Sequence, residues 1–111
     1  MLKISLPRGD IRNVNFTVKS GETTYSDFTE IYFTVKKSTT NKTMLFQKRL
    51  TDGTIRQNDD AYTLRIEPED TDKLEYGVYA FDIEVIKGDV IKQTTIGELT
   101  ITPEVTFSSN E

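Results

Sequence analysis

Apolar side chains recur at every second position along most of this chain. Val14, Phe16 and Val18 alternate within "NVNFTVKS", and Ile31, Phe33 and Val35 alternate within "EIYFTVKK". Met44, Phe46 and Leu50 share a side in "MLFQKRL", with Leu45 opposed. Tyr62, Leu64 and Ile66 alternate next, then Tyr79, Phe81, Ile83 and Val85, then Leu99 and Ile101. A period of two with many β-branched and aromatic residues is the pattern of half-buried strands. Together with "LKISL" at residues 2–6, these runs predict about seven strands. The core expected from them is Phe16, Phe33, Val35, Phe46, Leu64, Ile66, Phe81, Ile83, Leu99 and Ile101.

The stretches between the runs carry turn chemistry. "PRGD" at residues 7–10, "KSTTNKT" at 37–43 and the polar loop "RQNDD" at 56–60 separate strands, and "KGD" at 87–89 reads as a tight hairpin turn. Asp52-Gly53 is the strongest short hairpin signal in the chain. Gly97 interrupts the last run, and a β-bulge at Gly97-Glu98 is expected to bring Ile96 onto the side of Leu99 and Ile101. Only "PEDTDKL" departs from strand period. Pro68 followed by Glu69 and Asp70 suits the first turn of a short helix.

That turn leads through Gly77 to Tyr79 and the inward Phe81. The spacing resembles the tyrosine corner of immunoglobulin-like sandwiches, where a helical turn crosses between sheets and a tyrosine hydroxyl returns to upstream backbone. The resemblance implies that Tyr79 bonds backbone within residues 70–75. It also places Phe81 where antibody domains carry a cysteine, and Ile31 or Phe33 where they carry a tryptophan. The expected fold class is therefore all-β, an immunoglobulin-like β-sandwich of about seven antiparallel strands. One domain is expected over residues 1–104, followed by a polar tail at 105–111.

Composition narrows the function. At 111 residues a single core should bury roughly two-thirds of the unfolded surface without staples. There is no cysteine or histidine, which removes disulfides, thiolate metal sites and the commonest catalytic bases and nucleophiles. The net charge is −4 with both signs interspersed, so the basic stripe of a nucleic-acid binder is missing. No apolar run approaches the ~20 residues of a membrane span, and the N-terminus is too short and polar for a signal peptide. The expectation is a soluble protein made in the cytoplasm, without cofactor, metal, nucleic acid or membrane.

Several short patterns resolve into ordinary structure. Arg8-Gly9-Asp10 spells an integrin tripeptide but reads better as a turn. Asn15-Phe16-Thr17 and Asn41-Lys42-Thr43 are chance glycosylation sequons. Asp59-Asp60 and the group Glu67, Glu69, Asp70 and Asp72 lack the spacing of a calcium loop. A carboxylate pair for glycoside cleavage is unconvincing, because every acid falls at a turn or on a solvated strand face. Tyr25, Phe28, Tyr32 and Tyr76 are expected to face outward, and Tyr32 in particular suits a protein interface or sugar stacking.

A broader resemblance runs from about Arg8 to Phe107. "RGD", "FTEIYFTVKKS", "FQKRLTDGTI", "LRIEPEDTDKLEYGVYAFDIEVI" and "GELTITPEVT" are similar in style to small immunoglobulin-like virion proteins of bacteriophages and prophages of Gram-positive gut bacteria, including the N-terminal domains of phage baseplate upper proteins. The resemblance implies a non-enzymatic structural or accessory protein of the virion, present in many copies and bound to other phage proteins in baseplate, tail or head. The alternative is a carbohydrate-binding or host-adhesion module that contacts host-surface glycans. Apolar residues at the two ends, Leu2 and Ile4 in the first strand and Val105 and Phe107 beyond the last, join Tyr32 as the expected interface.

Overall fold

The computed structural model describes residues 2–104 and is almost entirely β. The elements are β1 (Leu2–Pro7), β2 (Arg12–Ser20), β3 (Thr23–Tyr25), β4 (Glu30–Lys36), β5 (Met44–Arg49), β6 (Ile55–Asn58), β7 (Ala61–Ile66), α1 (Pro68–Thr71), β8 (Gly77–Lys87) and β9 (Ile91–Thr102). Five strands form one sheet in the order β1-β9-β8-β4-β5, and four form a second in the order β3-β2-β7-β6. All neighbours are antiparallel except β1 and β9, which run parallel.

Among the described residues there are nine strands rather than seven. The additional ones are β3 and β6, which are three and four residues long. Only Ile55 of β6 is buried, so the strand has no alternation to reveal it. The stretch "RQNDD" is thus the end of β6 plus a two-residue turn at Asp59-Asp60, with Asp59 at positive φ. Asp52-Gly53 does not close a hairpin. It lies between β5 and β6, which belong to different sheets, so this turn carries the chain across the core.

The inward faces of both sheets supply the core. Ile31, Phe33, Val35, Tyr79, Phe81, Ile83, Val85, Leu99 and Ile101 meet Ile55, Tyr62, Leu64 and Ile66, with Leu6 and Phe28 at the margins. Eight of the ten expected core residues are buried; Phe16 and Phe46 are only half-buried. Their strands explain this. Phe46 sits on β5 at the sheet edge, and β2 is uncovered along much of one side. Phe28 was expected to face outward but is buried, tilted against Tyr62 with ring centroids 5.8 Å apart. It lies in the connection before β4, where strand parity no longer sets direction. Tyr25 is likewise half-buried against the core.

Gly97 causes no bulge. β8 and β9 pair without a register shift from Gly77↔Ile101 to Lys87↔Ile91. Gly97 itself holds the inward position opposite Phe81, and Ile96 points outward and is exposed. The reason is steric. A Cβ at residue 97 would run into the Phe81 ring and lie 2.7 Å from the Leu2 carbonyl oxygen. The space saved lets Phe81 pack on Phe33 with centroids 5.1 Å apart. The bulge falls instead on β5: Lys36 pairs Met44 while Val35 pairs Phe46, so Leu45 is the extra residue. This breaks the expected parity and leaves Met44 exposed with Leu45.

Gly97→Ala is expected to destabilise the fold by about 1–3 kcal/mol, the usual cost of forcing a methyl group into a packed core. Chemical denaturation of the two proteins checks this; an unchanged midpoint would show that the Phe81 ring yields freely.

Candidate interaction surface

The connection from β7 to β8 places the corner residues. Pro68 opens α1 with a fixed backbone angle, and the Glu67 N–H donates to Asp70 Oδ2 at 2.7 Å. Asp70 also holds the Lys48 ammonium at 2.6 Å, both side chains largely buried, which ties β5 of one sheet to the turn leaving the other. Gly77 begins β8 at φ 142°, a backbone angle that favours glycine. Two residues later Tyr79 is buried, and its hydroxyl donates to the Glu75 carbonyl at 2.6 Å.

The Arg8-Gly9-Asp10 turn closes against this corner. The Gly9 N–H donates to the buried Thr71 hydroxyl at 2.8 Å. Arg8 pairs with Glu104 at 3.2 Å and lies over the Tyr76 ring, 4.7 Å from its centroid. Its own N–H bonds the Thr102 carbonyl. The tripeptide is a clamp joining the ends of β1 and β9 to α1.

A second polar cluster supports the crossing from β5 to β6. Glu30 is buried and accepts hydrogen bonds from the Ile31 N–H, from Arg49, and from both the N–H and hydroxyl of Thr51. Burial alone would raise its pKa, but these donors together hold it below the ordinary value. Asp52 is lowered similarly, mainly by the Thr54 hydroxyl and N–H. Arg49 is thereby positioned over Tyr32, 5.0 Å from the ring centroid.

Glu30 and Lys48 were not singled out by sequence reasoning. Lys48 shares parity with Phe46 and Leu50, and a charge at an inward position was the signal available. Glu30 sits at the start of β4, where parity pointed outward.

The outer face of the five-stranded sheet is a candidate surface. Tyr32, Thr34, Lys36, Lys42, Met44, Gln47, Asp82, Glu84 and Ile86 line a shallow depression of about 460 Å³. Asp82 is half-buried, and its pKa is raised by burial, opposed by Lys36 and assisted by Glu84. Five large apolar residues of this sheet are exposed: Leu2, Met44, Leu45, Val78 and Ile96. No large apolar residue of the four-stranded sheet is, among the described residues.

The expected interface residues are dispersed. Leu2 is exposed and Ile4 is half-buried against the core, both on the edge strand β1. Tyr32 is half-buried on the outer face beneath Arg49. Tyr76 is exposed beneath Arg8. Val105 and Phe107 lie outside the described residues.

Neither the protein-family models nor the curated proteins contain a match to this chain.

The Glu30 cluster gives a pH dependence. A carboxylate whose folded pKa is depressed contributes stability that is complete above its unfolded value near 4.5 and is lost as pH falls through the lower folded value. Glu30→Gln should therefore be less stable than the parent at neutral pH, and its stability should decline less steeply on acidification. Denaturation curves from neutral to acid pH check this; parallel curves would show that Glu30 is not held ionised.

Proposed function

We propose that this chain is a non-enzymatic virion protein of a bacteriophage or prophage, an immunoglobulin-like module that assembles in many copies with other phage proteins of baseplate, tail or head. It is made in the bacterial host and ends in the particle. The strand order supports an immunoglobulin-like topology. A parallel first-to-last pair flanks one sheet, a four-stranded sheet faces it, and a helical turn with a bonded tyrosine joins them.

The observation that carries the assembly reading is which strands expose apolar side chains, apart from Ile11, Tyr76 and Val90 in the connections. Leu2, Met44, Leu45, Val78 and Ile96 all belong to the five-stranded sheet, at its edges or on its outer face. Removing such a surface from water stabilises a complex by roughly 25 cal/mol per Å² before ordering costs are subtracted. The neighbouring polar residues Lys36, Gln47, Asp82 and Glu84 supply the mixed character of a protein interface.

The same depression favours one alternative, a glycan-binding module, since Tyr32, Gln47, Asp82 and Glu84 line it together. Against this, the Arg49 guanidinium already lies over Tyr32, where a sugar ring would stack.

Quantitative mass spectrometry of phage particles from the strain that carries the gene tests the reading. The chain should co-purify with the particles in fixed multi-copy stoichiometry to their structural proteins. Absence from the particles, together with binding to isolated cell-wall polysaccharide, would replace this reading with the adhesion module.

A further inference from the structure

β9 is twelve residues long, but β1 pairs with it only from Gly97 to Thr102. Among the described residues, no strand covers the side of Ile91–Ile96 that faces away from β8. Across the gap between the sheets, β2 is similarly open: β3 covers only Val18–Ser20. The opening between these two edges is a groove of about 290 Å³, lined by Leu2, Phe16, Val18, Ile83, Val85 and the exposed Thr95. The half-burial of Phe16 and Val18 is the direct result.

We propose that this groove receives the segment Val105–Glu111 of a second copy of the chain, which adds as a strand to the free edge of β9. The inference rests on the assembly reading above and specifies its contact. Val105 and Phe107 are two residues apart, so in a strand both side chains would point to one face, toward Phe16 and Val85. The unpaired backbone of β9 would gain partners along the same line.

The segment must come from another copy because its own groove is out of reach. At ~3.3 Å per residue, the free edge lies roughly 20 to 36 Å down β9 from Thr102. Glu104 is held beside Arg8, at the opposite end of β1 from the groove. Phe107 lies three residues beyond Glu104 and so reaches at most about 11 Å from it, short of the groove, and β1 occupies the intervening edge. The contact is therefore head-to-tail, each copy donating a strand at one end and receiving one at the other.

Sedimentation of the full chain and two variants tests this. Thr95→Arg fills the groove from an exposed position, and Phe107→Ser removes the anchor from the donated strand. Melting curves establish that both variants fold. The parent should form species that lengthen with concentration, and each variant alone should stay monomeric. An equal mixture should form a dimer and nothing larger, because one intact tail meets one intact groove.

A parent that is monomeric at its solubility limit, a Phe107→Ser variant that associates like the parent, or a mixture that fails to pair would each overturn the proposal. If the parent never self-associates but Thr95→Arg blocks incorporation into particles, the groove takes a different protein's strand. This assignment is then wrong while the assembly reading stands.

Discussion

The length mismatch between β9 and its outer neighbour governs this structure. β8 pairs with β9 from Ile91 to Ile101, whereas among the described residues β1 reaches only from Gly97 to Thr102. Backbone amides and carbonyls are obligatory hydrogen-bonding groups, so an unpaired half-strand must be left to water or supplied with a partner. Water can satisfy the backbone, but it cannot satisfy Phe16 and Val18, which are only half-buried and line the gap beneath that edge. The polar residues Gln93 and Thr95 stand opposite Val85 and Ile83 on the inward side of β9. They are exposed where the equivalent residues farther along, Leu99 and Ile101, are fully buried.

The other sheet margins are treated differently. β5 carries a bulge at Leu45 and the charges Lys48 and Arg49, and β3 and β6 are very short. Bulges, charges and short strands are the ordinary means of keeping an edge from pairing with other chains. The free portion of β9, "IKQTTI", has no bulge, no proline and one charge, and it is rich in β-branched residues. It retains the features that favour strand addition. Interior charges meanwhile serve the scaffold. Glu30 supports the crossing from β5 to β6, and the Lys48–Asp70 pair supports the crossing from β7 to β8.

Much of this fold was legible in the sequence because its central strands carry unbroken alternation. β7 buries every second residue, as do β4 from Ile31 onward and β8 from Tyr79 to Val85. The contact of Tyr79 with Glu75 falls within the stretch indicated by the Gly77, Tyr79, Phe81 spacing. Where reading failed, a tertiary constraint had overridden a local signal. Asp52-Gly53 has the chemistry of a hairpin, but the Glu30 cluster directs the chain to the other sheet. Gly97 looked like a break in a strand, yet it is the position where the Phe81 ring needs a missing side chain. β6 was invisible because one inward residue, Ile55, makes no pattern. The groove could not be read at all, since it arises from how far β1 extends along β9, and no local sequence feature encodes that register.

Hydrogen–deuterium exchange as a function of protein concentration tests the central claim, that the free edge of β9 is where another chain is received. Amides within Ile91–Ile96 should become protected as association proceeds, in step with residues 105–111. Protection confined to the outer face around Tyr32 and Ile86, with Ile91–Ile96 exchanging unchanged, would contradict it.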